Sequence, residues 1–391
     1  MKILMINVVC GIRSTGRICT DLATSLEAEG HEVKIAYGRE NVPEQFLRYA
    51  VRIGSDIDVK FHGIRARLVD GVGFGSKAAT ERFVKWIREW NPDVIHLHNL
   101  HGYYINIEVL FNYLLTCGKK IVWTLHDCWA FTGHCTYFDY AQCNQWKTGC
   151  EICPQKREYP KCDIVSRATQ NYEKKRKLFT GISNMLLVTP CDWMRRKVEQ
   201  SFMTEYPVST IHNGVDTTVF KRISSDIKKR YGIEGKKVVL GVAAIWDRRK
   251  GLKYMEKLAE ELDDSFAVVL IGVTEKQKKR IPENILGILR TDSTEELVKW
   301  YSAADVFVNP TLEDNYPTTN LEAIACGTPV ITFDTGGSPE SAKLYGTVVP
   351  KGDTQALLEA IMTAFAFEKS EIRHTISKEY MIEEYMKLYK N

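Results

Sequence analysis

The chain has 391 residues and a net charge of +4, with 53 basic and 49 acidic residues. This length exceeds the ~250–300 residues at which a single hydrophobic core stops growing, so we expect two domains. The basic residues are not concentrated in one segment, which argues against a nucleic-acid partner. The apolar runs are shorter than the ~18 residues needed to cross a bilayer. The start, MKILMINVVC, lacks the apolar h-region of a signal peptide. We therefore expect a cytoplasmic protein.

Short β-rich segments alternate with helix-length segments along the chain. The predicted strands, in order, are KILMINVV, EVKIAYG, DVIHLHN, KIVWTLHD, MLLVTP, KVVLGVAAIW, FAVVLIGV, ADVFVNP and PVITFD. Such near-continuous runs of Val, Ile and Leu are typical of parallel strands that are covered on both faces. The pattern predicts an α/β fold with two doubly wound parallel sheets, which bind ligands at the carboxyl ends of their strands.

The alternation is interrupted at VSTIHNGVDTTVF, where Asn-Gly is a turn signal. We place the domain boundary there. The predicted domains are residues 1–212, which include a cysteine-rich loop at 128–162, and residues 213–370. Residues 371–391 contain a further predicted helix, SKEYMIEEYMKLY.

The segment NPTLEDNYPTTNLEAIACGTPVITFDTGGSPE combines strand, loop and helix signals. Thr319 and Glu322 have the spacing of a capping box at the start of a helix. Ser338 is the expected N-cap of a second helix, with Pro339 at its first position. Helix starts favour anions, because their N–H groups lack partners and the helix dipole is positive there. The segment therefore predicts a site for a ligand with phosphates and hydroxyls, such as a nucleotide-sugar.

This segment resembles the donor-site signature of retaining glycosyltransferases of family 4, of the type that builds bacterial capsules and exopolysaccharides. TLHD, HNGVD, RKGL and RTDSTEELVKWYSAADVFVNP resemble the same family in the same order, so the resemblance spans nearly the whole chain. It implies the GT-B fold, with two Rossmann-like domains facing a cleft and a C-terminal helix returning to the N-terminal domain. It also implies transfer of a sugar from a nucleotide-sugar to a hydroxyl acceptor, with retention and without a catalytic metal or cofactor.

The resemblance assigns roles to two acidic positions separated by seven residues, here Asp314 and Glu322. In the family, the first acid holds hydroxyls of the donor sugar and the second holds the nucleotide ribose. Glu313 directly precedes Asp314, so both are candidates for the sugar contact. The following backbone is expected to line the sugar and phosphate at Asn315, Tyr316, Pro317 and Thr318.

Cations for the donor phosphates are expected after the first strand of the C-terminal domain. Lys250 resembles the family lysine that neutralises the diphosphate leaving group, and Arg249 is a second candidate. Ala244 stands where the family often has a further arginine, so one phosphate contact is missing. Arg290 and Thr291 are expected near the nucleotide base.

In the N-terminal half, CGIRSTGR follows the first strand and places Gly11 and Gly16 in one loop. Arg17 and the next residue replace the Lys-Ser/Thr pair of a P-loop, which excludes an NTPase. In the family, a glycine-rich loop here lies against the donor phosphates or the acceptor, where Arg13 and Arg17 would add positive charge. His126 in TLHD resembles a family histidine that contacts the donor sugar.

Other histidines and cysteines have metal-like spacings. His96, His98 and His101 in HLHNLHG are interpreted as structural or acceptor-side, because strand alternation places only His96 and His98 on one face and no third metal ligand is evident there. Four cysteines in the polar loop predict a structural zinc site, because Cys-x-x-Cys spacing lets two thiolates bind one ion: Cys135, Cys143, Cys150 and Cys153. Substitute ligands are Cys128, Cys162 and His134. The alternative is a redox pair at Cys150 and Cys153.

The predicted partners are a UDP- or GDP-sugar and a saccharide or polyprenyl-diphosphate-linked acceptor. EKKRKLF (residues 173–179) and WMRRKV (residues 193–198) combine cations with aromatic residues. They predict peripheral contact with the inner face of the cell membrane, although a solvated helix face is an equal alternative. Two other functions remain open, namely a GT-B nucleotide-sugar epimerase or hydrolase and a noncatalytic GT-B scaffold.

Overall fold

The computed structural model describes residues 1–364 and 374–390. Two compact units divide the chain. The first comprises Met1–Ile211 together with the end of the chain from Ile382, and the second comprises His212–Met381. Of the predicted C-terminal segment, residues 371–373 and 391 lie outside the described residues. Within the described ranges, no helix has the length and apolar composition that a membrane crossing requires.

The strands of the first unit are β1 Lys2–Ile6, β2 Glu32–Tyr37, β3 Ala50–Arg52, β4 Val94–Leu97, β5 Lys120–Thr124, β6 Met185–Thr189 and β7 Val208–Thr210. Those of the second are β8 Lys237–Val242, β9 Phe266–Ile271, β10 Ile285–Ile288, β11 Val306–Asn309, β12 Val330–Phe333 and β13 Gly346–Val349.

The helices up to the end of β7 are α1 Arg13–Ala28, α2 Asp56–Val69, α3 Lys77–Trp90, α4 Ile107–Leu114, α5 Ala168–Phe179 and α6 Asp192–Glu199. The later helices are α7 Ile227–Arg230, α8 Leu252–Glu261, α9 Glu275–Lys278, α10 Thr294–Ala303, α11 Thr318–Ala325, α12 Ser338–Ala342, α13 Thr354–Thr363 and α14 Lys378–Lys390. Short 3₁₀ turns lie at Glu44–Tyr49, Cys128–Phe131 and Gln145–Lys147.

Each unit contains one parallel sheet. The strand orders are β3-β2-β1-β4-β5-β6-β7 and β10-β9-β8-β11-β12-β13. Helices connect most consecutive parallel strands, and a 3₁₀ turn connects β2 to β3. The two Rossmann-like parallel sheets confirm the predicted fold class, and every strand predicted from the sequence is present.

The strands that the sequence did not predict are β3, β7, β10 and β13, which form the four edges of the two sheets. They are only three or four residues long, and most of their residues outside β10 are partly exposed. Edge strands need no continuous apolar run, because they are not covered as fully as central strands.

The strand order reverses at one point in each sheet, between β1 and β4 and between β8 and β11. The chain leaves these strands into loops at the same edge of the sheet, because the strands are parallel. Such switch points are the usual ligand sites of doubly wound sheets. The loops after β8 and β11 contain Lys250 and Asp314, and the loop after β1 contains Gly11.

The last turns of α14 pack in the first unit through buried polar contacts. Tyr389 and Tyr385 place their hydroxyls 2.6 Å from His96 Nδ1 and 2.9 Å from Thr124 Oγ1. The second ring nitrogen of His96 lies 2.8 Å from the same threonine hydroxyl. Burial lowers the pKa of His96 to about 3, so it is neutral at pH 7 and has a structural role.

Candidate active site

The loops after β8 and β11 bring an ammonium and a carboxylate together. Lys250 Nζ lies 2.5 Å from Asp314 Oδ2. The two side chains retain 22% and 12% of their exposure, so they are reachable from solvent. The other Asp314 oxygen accepts a hydrogen bond from the Asn315 backbone N–H at 3.0 Å. The predicted phosphate-binding and sugar-binding side chains are therefore neighbours.

Close backbone contacts fix these loops. A Cβ on Gly251 would lie 2.1 Å from the Pro310 carbonyl oxygen, and Gly251 has a φ of +79°. A Cβ on Gly336 would lie 1.7 Å from the Asp314 carbonyl oxygen, again at a positive φ of +58°. Only glycine tolerates such an approach. Leu312 N–H also donates to the Arg249 carbonyl at 2.7 Å, which joins the two loops directly.

Glu313 and Asp314 have different environments. Glu313 is 3% exposed, whereas Asp314 is half-buried and faces Lys250. The Glu313 carbonyl accepts hydrogen bonds from Arg249 Nη1 and from the Thr311 hydroxyl, both at 3.1 Å. Arg249 thus helps to hold the loop, and Asp314 is the acid that the loop presents.

Helix α11 begins differently from the prediction. Pro317 is its N-cap, no side chain caps it, and Thr318 and Thr319 are its first two residues. The predicted capping box is therefore wrong, because Thr319 lies inside the helix. Glu322 instead accepts a hydrogen bond from the Tyr301 hydroxyl at 2.9 Å.

Tyr301 is a functional candidate that the sequence analysis missed. Burial, together with the Glu322 carboxylate, raises the pKa of Tyr301 well above its ordinary value. The phenol therefore remains a donor and orients Glu322. Its place in the amphipathic helix α10, 21 residues before Glu322, gives no sequence signal for this contact.

A buried polar network connects the starts of α11 and α12 to the sheet. Asn320 accepts from Asn309 Nδ2 at 2.9 Å and donates to Ser338 Oγ at 3.2 Å and Ser341 Oγ at 2.9 Å. The Ser338 hydroxyl also lies 2.7 Å from the Thr332 hydroxyl. The predicted N-cap at Ser338 is wrong by one residue, because Gly337 is the N-cap and the Ser338 side chain is engaged in this network.

The first and last residues of the HNGVD motif, His212 and Asp216, both make side-chain contacts. The His212 ring stacks on Tyr316 at 5.0 Å, and His212 Nε2 lies 3.7 Å from Glu340. Asp216 pairs with Lys378 at 2.5 Å. Burial tends to raise the pKa of Asp216, but the hydrogen bond with Lys378 lowers it below its ordinary value.

Arg290 and Thr291 follow the edge strand β10, which β9 separates from β8. They precede helix α10, whose N-cap Ser293 accepts a hydrogen bond from the Glu296 N–H at 3.1 Å. The structure thus places them at the same sheet edge as Lys250 but two strands away from it, and their contact with a nucleotide base stays a prediction.

In the first unit, the loop after β1 has the predicted glycine geometry. Gly11 has a φ of +74°, and a Cβ there would lie 2.6 Å from the Phe46 ring. Gly16 lies in α1, where its carbonyl accepts from the Gly11 N–H at 3.1 Å. Arg17 and Arg13 are both exposed, and Arg13 forms an ion pair with Glu40. Contact of either arginine with a donor stays a prediction.

His126 follows β5 and is half-buried. Its Nε2 lies 2.9 Å from Nδ1 of His98, which follows β4, and the two rings stack. Burial lowers the pKa of His126 to about 4 and that of His98 well below its ordinary value. Both are neutral at pH 7, so His126 can take part in hydrogen bonds without adding charge.

Comparison with known proteins assigns the chain to a family. Residues 15–219 match the family model described as Glycosyltransferase Family 4, and residues 236–366 match Glycosyl transferases group 1. The first match alone covers more than half of the chain. The chain belongs to glycosyltransferase family 4.

Several known proteins match this family 4 glycosyltransferase over nearly the whole length of both chains. It is 27% identical to the putative colanic acid biosynthesis glycosyl transferase WcaC of Escherichia coli K12, over 100% of both chains. Its fold is similar to sucrose-phosphate synthase from Thermosynechococcus elongatus, with a TM-score of 0.71, 15% identity and coverage of 100% and 98%. Anabaena HepE in complex with UDP-glucose is similar with a TM-score of 0.65, 14% identity and coverage of 100% and 99%. The predicted GT-B fold is confirmed.

A second side-chain group in the glycosyltransferase escaped the sequence analysis. His101 Nε2 lies 2.6 Å from Asp127 Oδ2, and His101 Nδ1 lies 3.1 Å from the Tyr159 hydroxyl. A carboxylate only accepts, so Nε2 of His101 carries a hydrogen and donates it to Asp127. Burial tends to raise the pKa of Asp127, but His101 lowers it below the usual range. The HLHNLHG spacing marked His101, but not its partners.

The cysteine-rich loop brings several predicted ligands near one another. The Cys135 thiol donates a hydrogen bond that lowers the pKa of Cys153. The Gly133 N–H donates to Cys150 Sγ at 3.2 Å. Over residues 1–364 and 374–390, however, no three Cys, His, Asp or Glu side chains are arranged so that they could hold a metal ion. Zinc binding by Cys135, Cys143, Cys150 and Cys153 stays a prediction.

The substitute ligands have other contacts. Cys128 Sγ lies 3.9 Å from Met194 Sδ, and the Cys162 thiol donates to the Val165 carbonyl at 3.3 Å. His134 Nδ1 lies 2.6 Å from buried Asp70, and His134 Nε2 has no hydrogen-bond partner in the described part of the chain.

The predicted membrane segment at residues 173–179 does not present its aromatic residue. Phe179 is fully buried in the core. Lys175 is also buried, where it donates to the Trp129 and Thr132 carbonyls at 2.7 Å and 3.1 Å. Helix α5 therefore exposes cations, and of its large apolar side chains only Leu178 is partly exposed. In WMRRKV, Met194 and Val198 are also buried.

Proposed function

We propose that this glycosyltransferase moves a hexosyl group from a uridine diphosphate sugar to a hydroxyl of a lipid-linked saccharide, with retention, in polysaccharide biosynthesis. The observation that carries the proposal is the Lys250–Asp314 pair at the switch point of the second sheet. A nucleotide-sugar needs a cation at its diphosphate and an acceptor of hydrogen bonds at its sugar, and these two groups supply them. The similarity to WcaC, a putative colanic acid biosynthesis glycosyl transferase, supports a role in polysaccharide biosynthesis. The UDP-glucose bound in the HepE complex supports a uridine diphosphate sugar as the donor.

In the proposed reaction, the bond between the anomeric carbon and the donor phosphate oxygen breaks, and a new bond forms to the acceptor oxygen on the same face. The acceptor proton passes to the departing phosphate, so that no protein nucleophile is needed. Lys250 stabilises the charge on the leaving diphosphate, which is usually the largest catalytic contribution in such a site. Asp314 holds sugar hydroxyls, and Glu322, oriented by Tyr301, holds the ribose.

The donor is identified by a thermal-shift screen of the purified chain against UDP- and GDP-sugars, because selective binding raises the melting temperature. Free nucleotide is then measured with and without a polyprenyl-diphosphate-linked saccharide. Acceptor-dependent release supports the proposal. Release without acceptor indicates the epimerase or hydrolase, and no release indicates the scaffold. The anomeric configuration of the product, measured by NMR, tests retention.

The assignment of the two acids has its own test. We expect Asp314→Asn to lower kcat about 100-fold, because a charge-assisted contact that strengthens in the transition state is lost. Glu313→Gln serves as the comparison, since its side chain is buried away from solvent. A larger loss of kcat in Glu313→Gln, at an unchanged melting temperature, would assign the sugar contact to Glu313.

We also propose that the cysteine-rich loop binds one structural zinc ion. The proposal rests on the Cys-x-x-Cys spacing of Cys150 and Cys153 and on the Cys135 thiol, which donates a hydrogen bond to Cys153. Metal analysis of protein purified without added zinc is expected to give about one equivalent, and a Cys150→Ser/Cys153→Ser double variant is expected to lose it and to melt earlier. Absence of metal, together with unchanged melting of the double variant, would remove the proposal.

Peripheral contact with the inner face of the cell membrane completes the proposal. A lipid-linked acceptor stays at the membrane surface, so an enzyme that docks there meets it at a high local concentration. Vesicle flotation tests this contact.

A further inference from the structure

Helix α2 carries four large apolar side chains that face solvent. Ile57, Phe61, Ile64 and Leu68 are 65%, 69%, 55% and 44% exposed. Their spacing of four, three and four residues places them within about 60° of one another on one face of the helix, over about 16 Å. His62 and Ala66 on another face are buried. We call the four exposed residues the α2 stripe.

A neighbouring segment enlarges this apolar surface. The Asp163 N–H donates to the Arg67 carbonyl at 2.7 Å, and the Val165 N–H donates to the Leu68 carbonyl at 2.9 Å. Two further exposed apolar side chains, Ile164 and Val165, therefore lie beside the end of the α2 stripe. Contiguous apolar surfaces of this kind mark a protein or membrane contact.

Cations flank the α2 stripe on both sides. At 100° per residue, Lys60 and Arg67 follow one border of the stripe and Arg65 follows the other, and all three are exposed. The acidic residues of α2 have local partners in its first turn. Asp56 pairs with Arg52, and Asp58 accepts from the Ser55 N–H at 2.8 Å.

We infer that the α2 stripe docks on an anionic lipid bilayer. An apolar helix face bordered by lysine and arginine matches an interfacial helix, whose apolar side chains enter the acyl boundary while its cations meet lipid phosphates. A bilayer accommodates the outward face of a helix without a matching groove. The inference rests on the proposed function only in that a lipid-linked acceptor gives such docking a purpose.

The test is flotation of the full chain with vesicles of phosphatidylcholine alone or with phosphatidylglycerol, at low salt and without a sugar donor. We expect binding to the anionic vesicles. Phe61→Ser/Ile64→Ser should lower the partition coefficient at least tenfold, because two exposed apolar side chains that would enter the bilayer are lost. Lys60→Gln/Arg65→Gln should lower it about tenfold on anionic vesicles. The matched control, Val219→Ser/Met362→Ser, removes two exposed apolar residues of the second unit and should bind as the wild type.

Three results would overturn the inference. The first is that the wild type does not bind anionic vesicles, and the second is that the Phe61→Ser/Ile64→Ser variant binds them as well as the wild type does. The third is that the wild type forms a dimer without lipid and does not bind vesicles, whereas the Phe61→Ser/Ile64→Ser variant is a monomer. The last result would assign the surface to a second copy of the chain. Transfer to a water-soluble acceptor is measured separately, so that failure of membrane docking is distinguished from failure of the proposed reaction.

Discussion

Replacing Lys250 with glutamine removes the ammonium beside Asp314 and is expected to affect rate far more than stability. The pair is partly exposed, and Asp314 keeps the hydrogen bond from the Asn315 N–H. The free energy of unfolding should therefore fall by only about 1 kcal/mol, as for other accessible ion pairs. For a chain of this size, that corresponds to a shift in Tm of only a few degrees.

The expected loss in rate is larger, because Lys250 is proposed to stabilise charge on the departing diphosphate. Removal of one such group typically lowers kcat about 10²- to 10³-fold, equivalent to about 2.7–4 kcal/mol of transition-state stabilisation. Single-turnover transfer at saturating donor measures this step without product release. Lys250→Arg, which keeps the charge, should recover part of the rate.

The matched control is Lys257→Gln, which removes an exposed lysine from the following helix α8. Its rate should remain within a factor of two or so of the wild type, because surface substitutions away from the site have small effects. A Lys250→Gln rate close to that of the control would show that this lysine does not act on the leaving group. A loss of rate accompanied by a large fall in Tm would point to misfolding instead.

Three further predictions concern groups that support the site or the fold. Tyr301→Phe should weaken donor binding about tenfold or more, because Glu322 loses a buried, charge-assisted hydrogen bond. In a Glu322→Gln background, the same substitution should weaken binding much less. Equal effects in the two backgrounds would show that Tyr301 does not act through Glu322. Gly336→Ala should lower kcat more than Gly235→Ala does. Both glycines have a positive φ, but only at Gly336 would a Cβ clash with a backbone carbonyl oxygen. Similar rates in the two variants would contradict a rigid Asp314 loop. Burial lowers the pKa of His62 from 6.5 to about 4. As the pH falls, His62 is therefore protonated first in the unfolded state, which lowers the stability of the folded state. The stabilising contribution of neutral His62 is complete above pH 6.5 and declines as the pH falls toward 4. About 2 kcal/mol should be lost by pH 5, and urea unfolding of wild type and His62→Gln should show a flatter pH profile for the variant.

The central strands were predictable because the apolar run that each of them needs lies within its own short sequence. A parallel strand covered on both faces needs a continuous apolar run, as in FAVVLI of β9, all six residues of which are buried. The edge strand β7 has the sequence VST and no buried residue. Its pairing with β6 is a tertiary event that three residues cannot encode.

The charged residues of the site were also predictable, but their supporting contacts were not. Lys250 and Asp314 belong to motifs with fixed spacings, and the structure brings them together. Tyr301 reaches Glu322 from a different helix. The Ser338 hydroxyl was expected at a helix cap, but it serves a network with Asn320 and Thr332 instead. Local spacing therefore identified candidates, and three-dimensional packing decided their roles.

The α2 stripe shows a different limit of sequence analysis. Apolar residues at Ile57, Phe61, Ile64 and Leu68 have the spacing of a helix face that packs in a core. In the structure, the face with His62 is buried instead, and the apolar face is exposed. Periodicity shows that a helix has an apolar face, but it does not show whether protein covers that face.

Two glycines of the second unit fix the backbone of the loop that carries Asp314. At Gly251 and Gly336, backbone carbonyls of the Asp314 loop occupy the space of a side chain. The loop is thus held by contacts between main-chain atoms, which have no rotamers to exchange. Lys250 and Asp314 extend from this framework, and their side chains pair with each other. Electrostatic stabilisation of a leaving group is most effective when the charges do not have to move, so we expect the two glycines to support catalysis although neither carries a reactive group.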